Sequence, residues 1–268
     1  MSRFAVGCVP YLNAKPLVRK FVDEGSASPV KVLYDVPSRL PQMLADGSAQ
    51  AVMVSSIEAI RHPGMRISGG VSISTQRDVQ SVRLFSKMPI EKIRRVAFDL
   101  SSMTSNALAR IVLKDGYGVE PEGASQPPVL AEMLADHDAA IMIGDNGMRA
   151  RPHDLYILDL GREWRDLTGL PFVWAAWIGR DGLVPALAYE LAEAARYGQR
   201  HFDEVVRHAE EETGFTYEEC EHYLGQIMDY RLDRRHLAGL AEFSRRLLAH
   251  GLIDRAYDPE VVVGLPAD

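Results

Sequence analysis

Four short stretches of this chain gather small hydrogen-bonding side chains that could hold a ligand. They are Tyr11-Leu12-Asn13, Ser55-Ser56, Ser101-Ser102-Met103-Thr104-Ser105 and Gly144-Asp145-Asn146. Hydroxyls, side-chain amides and free backbone N–H groups suit the recognition of a small anion. The Ser/Thr cluster stands just before an apolar helical stretch, Ala107–Leu113. Donors at a helix N-terminus, helped by the helix dipole, are well suited to a carboxylate. Ser102 or Thr104, taken singly, is read equally well as the N-cap of that helix. The cluster as a whole points to a ligand.

Other chemistry is poorly represented. There is no G-x-G-x-x-G, P-loop, H-E-x-x-H or nucleophile elbow. Of the eight histidines, His201, His208, His222, His236 and His250 fall in expected C-terminal helices, as surface or packing residues. His62 and His153 neighbour prolines in loops. The two cysteines, Cys8 and Cys220, form neither a disulfide framework nor a zinc pattern, so no metal is expected. Glu210-Glu211-Glu212 with Glu218, Glu219 and Glu221 reads as a solvated face. Trp164, Trp174 and Trp177 are read chiefly as core or hinge packing, with a place along a cleft as the alternative.

The elements that must position these groups can be read from apolar periodicity. Phe4–Val9 has the look of a buried strand, and Pro16 suits the first turn of a helix, where a missing N–H costs nothing. A strand, a polar loop and a helix N-terminus together present groups at the carboxyl edge of an α/β sheet. The pattern then echoes itself. Gln42-Met43-Leu44-Ala45-Asp46, Ala51–Val54 and Ser55-Ser56 are matched ninety positions later by Glu132-Met133-Leu134-Ala135-Asp136, Ala140–Ile143 and Gly144-Asp145. Upstream, the strand Val6–Val9 with its Pro10–Asn13 loop is matched by Val96-Ala97-Phe98 with Asp99–Ser105. Two similar lobes follow, with the polar loops of both facing one cleft. The alternating segment Gln80–Ser86 and the apolar run Phe172–Ile178 are expected as crossover strands. The boundaries predicted are lobe one over 1–86, an inserted lobe two over 87–176, and a return to lobe one over 177–268. In that last part Pro185–Arg200, Phe202–Glu212, Tyr217–Gln226 and Arg234–Ala249 carry helical spacing, with Asp233 as an N-cap and Gly251 as a terminator.

Composition narrows the partners. The 268 residues are enough for one large domain or two lobes, and 47% hydrophobic with 25% charged residues is ordinary for a globular chain. A net charge of −7 with no basic stripe argues against nucleic acid. No apolar run approaches the ~20 residues that span a bilayer, so no membrane partner is expected. A strand beginning at residue 4 leaves no room for a signal peptide, and a cytoplasmic setting is expected.

The motifs resemble a known family. Val9-Pro10-Tyr11-Leu12-Asn13-Ala14-Lys15-Pro16-Leu17, Gln80–Lys87, Thr104-Ser105-Asn106-Ala107-Leu108, Ile143-Gly144-Asp145 and Thr168-Gly169-Leu170-Pro171-Phe172-Val173 together resemble chorismate dehydratase of the futalosine route to menaquinone. They run in the family's order over about residues 4–180. Two positions depart from the pattern: Met103, where a basic residue is expected, and Gln76–Val79, where small and acidic residues are usual. The resemblance implies a type II periplasmic-binding-protein-like fold and a hydro-lyase without a cofactor. Chorismate would lose water to give 3-[(1-carboxyvinyl)oxy]benzoate. Matched to the family, Asn13 and Ser81 would be the catalytic residues. Asn13 would hold the leaving hydroxyl or a carboxylate, and Ser81 would donate to the enolpyruvyl carboxylate. Thr104 and Ser105 would take a carboxylate and Asp145 would shape the pocket, with Tyr11, Ser55, Ser56, Ser102 and Gly144 completing the binding set. No histidine or lysine is placed as the base, which suggests a substrate carboxylate as proton acceptor. Two further readings stay open at this point: a cytosolic binder or sensor of a small anion, and the dihydroxynaphthoate-forming enzyme of the same route. The latter is associated with a different opening loop.

Overall fold

A computed structural model describes residues 3–37 and 39–265. The chain starts with β1 (Phe4–Cys8), the 3₁₀ turn Leu12–Ala14, α1 (Lys15–Glu24), β2 (Val30–Tyr34), α2 (Leu40–Ala45), β3 (Ala51–Ser55), α3 (Ile57–Arg61) and β4 (Arg66–Thr75). A second set follows: β5 (Arg83–Ser86), β6 (Arg95–Asp99), α4 (Thr104–Tyr117), β7 (Glu122–Gln126), α5 (Leu130–Asp136), β8 (Ala139–Met142), α6 (Gly144–Arg149), β9 (Tyr156–Asp159) and α7 (Leu160–Thr168). The remainder is β10 (Phe172–Gly179), α8 (Pro185–Arg200), α9 (Phe202–Thr213), α10 (Tyr217–His222), a π-helical turn over Tyr223–Ile227, β11 (Asp229–Leu232), α11 (Arg234–Ala249) and β12 (Glu260–Val262).

The internal echo is realised in the topology. One sheet has the order β2-β1-β3-β10-β4, extended by β11 and β12, both paired to β4. The other has the order β7-β6-β8-β5-β9. In each sheet three consecutive strands are parallel (β1, β2 and β3 in one, β6, β7 and β8 in the other), and beside them lies an antiparallel strand that the chain enters on arriving from the other sheet. Thus β10 lies against β3 as β5 lies against β8. The apolar runs of β3, β8 and β10 are buried nearly end to end, as strands covered on both faces should be.

Three sequence expectations are corrected. Gln80–Ser86 and Phe172–Ile178 are not the crossovers themselves. β5 pairs only within the second sheet and β10 only within the first, so the chain changes sheet over 76–82 and 160–171. Junctions at 87 and 177 therefore fall late, because an apolar run that closes a sheet looks the same in sequence as one that bridges two. The C-terminal part is not wholly helical either. β11 and β12 are short, and their pairing on β4 leaves little periodicity to detect. Finally, the last helices do not rest on the first lobe alone. α8 packs on α1 and β4, whereas α11 touches β10 and β11 and also α4 of the second lobe. Asp233 and Gly251 do end α11 as expected. Asp233 accepts from the backbone N–H groups of Arg235 and His236. Gly251, at φ +64°, closes the helix with bonds from its own N–H to Leu248 O and from Leu252 N–H to Leu247 O.

An aromatic cluster sits where the two lobes meet. Phe172 packs against Trp174, Phe243 and Trp164 at ring-centre distances of 4.4, 5.0 and 5.2 Å. It joins α7, β10 and α11 into one buried pivot. Asp159 fastens the two passages beside it, accepting from the backbone N–H groups of Val79 and Gln80 in one and of Gly161 and Arg162 in the other. Gln80 is held there at φ +58°, a conformation that costs a non-glycine residue energy. No helix among the described residues is long and apolar enough to cross a membrane.

Candidate functional site

A cavity of about 90 Å³ lies between the lobes, at the carboxyl ends of their strands. It is lined by Tyr11, Asn13, Ser55, Ser81, Ser102, Thr104, Ser105 and Gly144, with Trp174, Tyr223 and Met228 and the apolar Val79, Val82 and Ile143. Eight of the ten residues singled out from sequence are thus brought together. Ser56 and Asp145 are not among them. Ser56 is fully buried and its hydroxyl donates to Val173 O at 2.7 Å, which fastens β3 to β10. Asp145 accepts from Leu12 N–H at 3.4 Å and faces a neighbouring hollow with Lys15 and Arg149. Burial raises its pKa, with the Leu12 bond working the other way.

Local structure explains each placement. Tyr11 and Asn13 leave β1 on a single 3₁₀ turn that runs directly into α1, whose first turn carries Pro16. The turn is therefore rigid, and Asn13 Oδ1 is buried without a partner. An unpaired buried carbonyl is costly in a finished core and is expected where a ligand donor is to be met. Ser81 lies in the first passage between sheets. Gly147 on α6 backs its main chain, and a Cβ there would come within 2.2 Å of Ser81 O. Ser102 Oγ accepts from Ser105 N–H at 3.3 Å, so that residue does the work of a cap. Thr104 Oγ1 instead accepts from Ile57 N–H at 3.2 Å, reaching across to the start of α3 in the other lobe. Ser101 is tied to Asp99 at 2.6 Å and contributes nothing to the wall.

Sequence reasoning missed Tyr223 and Met228. Tyr223 is 2% exposed and its hydroxyl lies 2.8 Å from Ser81 Oγ. Burial pushes its pKa up. It opens the π-helical turn, a feature often found at functional sites. Helical spacing in Tyr217–Gln226 gave no sign that the fold would rotate one tyrosine inward. Trp174 takes the cleft position, with its indole N–H donating to Thr75 Oγ1 at 3.1 Å, whereas Trp164 and Trp177 are core.

The lining residues carry no formal charge. At Met103, where the family pattern has a basic residue, Arg61 Nη2 from the opposite lobe comes within 3.0 Å of the sulfur. Arg61 is itself paired with the buried Glu58 at 2.6 Å. Among the described residues no three His, Cys, Asp or Glu side chains are grouped as metal ligands would be. The arrangement offers hydroxyl donors, one free amide carbonyl and the N-terminus of α4 to a polar ring-sized guest.

The menaquinone-biosynthesis family profile matches residues 4–249. A chorismate dehydratase from Thermus thermophilus is 30% identical over 267 residues, covering 92% of this chain and 96% of the relative. The chain belongs to the menaquinone-biosynthesis family. A second chorismate dehydratase, from Campylobacter jejuni, is 28% identical over 63% of this chain and 64% of its own. Solved structures show the fold this family member adopts. A protein of Archaeoglobus fulgidus superposes with a TM-score of 0.74 at 18% identity, over 93% of this chain and 98% of its own. The periplasmic aliphatic sulphonate binding protein of Escherichia coli gives 0.66 at 13% identity, over 99% and 95%. The menaquinone-family chain is therefore an α/β protein of the two-lobed, periplasmic-binding-protein-like kind.

Proposed function

We propose that this protein is a chorismate dehydratase, a hydro-lyase that converts chorismate to 3-[(1-carboxyvinyl)oxy]benzoate for menaquinone synthesis by the futalosine route. The observation that carries the reading is the likeness to the Thermus thermophilus dehydratase along almost the whole of both chains. The reaction breaks the ring C–H bond at the carbon bearing the enolpyruvyl ether and the C–O bond of the neighbouring hydroxyl. The C–H electrons become the last double bond of the benzene ring, and the hydroxyl leaves as water with the proton. Aromatisation drives the elimination, so the protein's task is to orient the ring and assist a poor leaving group.

The residues of the cavity suit that task. Asn13, with its free carbonyl, and Ser81 act on the reacting edge of the ring. Thr104 and Ser105 at the head of α4 receive a carboxylate. Tyr11, Ser55 and Ser102 complete the polar wall, and Trp174 gives the ring a flat face to lie on. A substrate carboxylate accepts the proton. We place the reaction in the cytoplasm, a setting that two free, buried cysteines suit.

The test is to incubate purified protein with chorismate and follow the mixture by mass spectrometry. Loss of one water, with the spectrum of a substituted benzoate, is expected. Chorismate that binds but is recovered intact would instead mark a binder or sensor.

A further inference from the structure

Tyr223 has no role in the sequence motifs, yet it is as enclosed as Ser81 and Thr104, the most buried polar groups of the cavity. Its hydroxyl meets Ser81 Oγ at 2.8 Å, and it shares the wall with Asn13 and Thr104. The Tyr223 hydroxyl is the donor and Ser81 Oγ the acceptor. Asn13 Oδ1 makes no hydrogen bond, so the Asn13 carbonyl does not take the phenol proton. Ser81 Oγ is the acceptor within reach. A tyrosine has one proton to donate and a serine hydroxyl one proton of its own.

We propose that Tyr223 is a positioning residue that acts through Ser81. By donating its proton to Ser81 Oγ it fixes the Ser81 hydroxyl as a donor aimed into the cavity. It thereby selects a ligand that places a negative or lone-pair-bearing oxygen beside Ser81. The backbone makes the arrangement stiff. Tyr223 begins the π-helical turn, and Met228 N–H closes that turn on Tyr223 O at 3.0 Å. On the other side Ser81 N–H bonds Val79 O at 2.7 Å, in the passage that Asp159 fastens. Both partners are therefore held from their main chains, and the hydrogen bond between them is set before a ligand arrives. The proposal rests on the dehydratase reading for the identity of the ligand, but not for the Tyr223–Ser81 bond itself.

Three measurements test it. Tyr223→Phe keeps the ring that fills the wall and removes the hydroxyl. Loss of one neutral hydrogen bond is expected to lower kcat about tenfold while KM moves by no more than about twofold. Because Tyr223 acts through Ser81, the Tyr223→Phe/Ser81→Ala double variant should be no slower than Ser81→Ala alone. Third, a buried, bonded phenol gives a slowly exchanging hydroxyl proton resonance. It should be absent in Tyr223→Phe and displaced in Ser81→Ala. Wild-type kcat in Tyr223→Phe, losses that multiply in the double variant, or a resonance unmoved by Ser81→Ala would each overturn the proposal. If Tyr223→Phe fails to fold, the resonance in Ser81→Ala still decides. A wild-type protein that leaves chorismate unchanged sinks the dehydratase reading instead, and the resonance then judges the Tyr223–Ser81 bond by itself.

Discussion

At the scale of single residues, the cavity separates groups that hold the fold from groups left free for a ligand. Asn13 belongs to the second kind, since its buried carbonyl has no partner. An asparagine that merely ties a turn would have that oxygen bonded to nearby backbone. Asn13→Ala should therefore leave the thermal midpoint near wild type and lower kcat much more than it raises KM, because orientation counts most at the transition state. A fall in midpoint with normal turnover in the folded fraction would return Asn13 to a structural role. Thr104 is of mixed kind, because its oxygen already accepts from Ile57 N–H across the cleft. Thr104→Ala should weaken the closed form by about 0.5–1.5 kcal/mol and appear as a higher KM. Thr104→Ser, which keeps the acceptor, should restore it; an equal defect in both variants would exclude the bridge. These residues were legible because each follows a strand or opens a helix, where side chains reach a cleft. Ser56 follows a strand too, but sequence does not show that β10 would arrive from 117 residues away to claim its hydroxyl. Tyr223 was illegible for the opposite reason, since an ordinary helical repeat hides a π-helical turn.

At the scale of elements, the doubled order of strands was readable because both copies end in the same helix–turn–strand unit. The crossovers and β11 were not, since their positions depend on pairing between segments far apart in sequence. β11 is secured by a polar knot beside the pivot. Asp229 accepts from Gln76 Nε2 at 2.6 Å and from Arg231, and its Oδ2 lies 3.3 Å from Nε2 of the fully buried His236. His236 Nδ1 is 2.8 Å from Asp233 Oδ1. Burial opposes charge on the imidazole, but the carboxylates of Asp229 and Asp233 prevail and raise its pKa above 6.5. Burial likewise opposes ionisation of Asp229, yet Arg231, His236 and Gln76 hold its pKa well below 3.8. The signs follow from proton linkage. The native state binds the His236 proton more tightly than the unfolded chain. Its contribution is complete below pH 6.5 and disappears as the pH rises through the raised native value. That of Asp229 is complete above 3.8 and disappears as acid protonates it. His236→Gln should therefore lie furthest below wild type in thermal midpoint in the mildly acidic range, with the gap narrowing as the solution is made alkaline. A gap independent of pH from 5 to 9 would mean that His236 is neutral in the fold.

At the scale of the whole molecule, the size of the cavity decides what the lobes must do. Sites for small ligands usually enclose roughly 300 Å³ or more. The space between the lobes is about 90 Å³, and Tyr11 and Met228 separate it from larger hollows on either side. A substituted cyclohexadiene with two carboxylates cannot enter without movement. The bonds that resist separation include Leu12 N–H to Asp145 at 3.4 Å, Ile57 N–H to Thr104 at 3.2 Å and Arg61 to the Met103 sulfur at 3.0 Å, with surface bonds from Arg149 to Thr213 O and from Arg151 to Glu219. At about 1 kcal/mol or less each they form a latch that can open bond by bond. The aromatic pivot, by contrast, is buried and the part-buried Asp159 clamp is multiply bonded, so rotation about them is easier than rupture. The structure therefore represents the closed state of a hinged pair, in the manner of domain closure around ligands. Scattering from the ligand-free protein should give a radius of gyration larger than that calculated from these atoms, and saturating product should bring it down to the calculated value. Weakening the latch with Thr104→Ala should enlarge the ligand-free radius or leave it at the open value, and should raise the product concentration needed for closure. A ligand-free profile identical to the closed one, together with diffusion-limited binding of product, would rule out the hinge and require a separate entrance past Tyr11 or Met228.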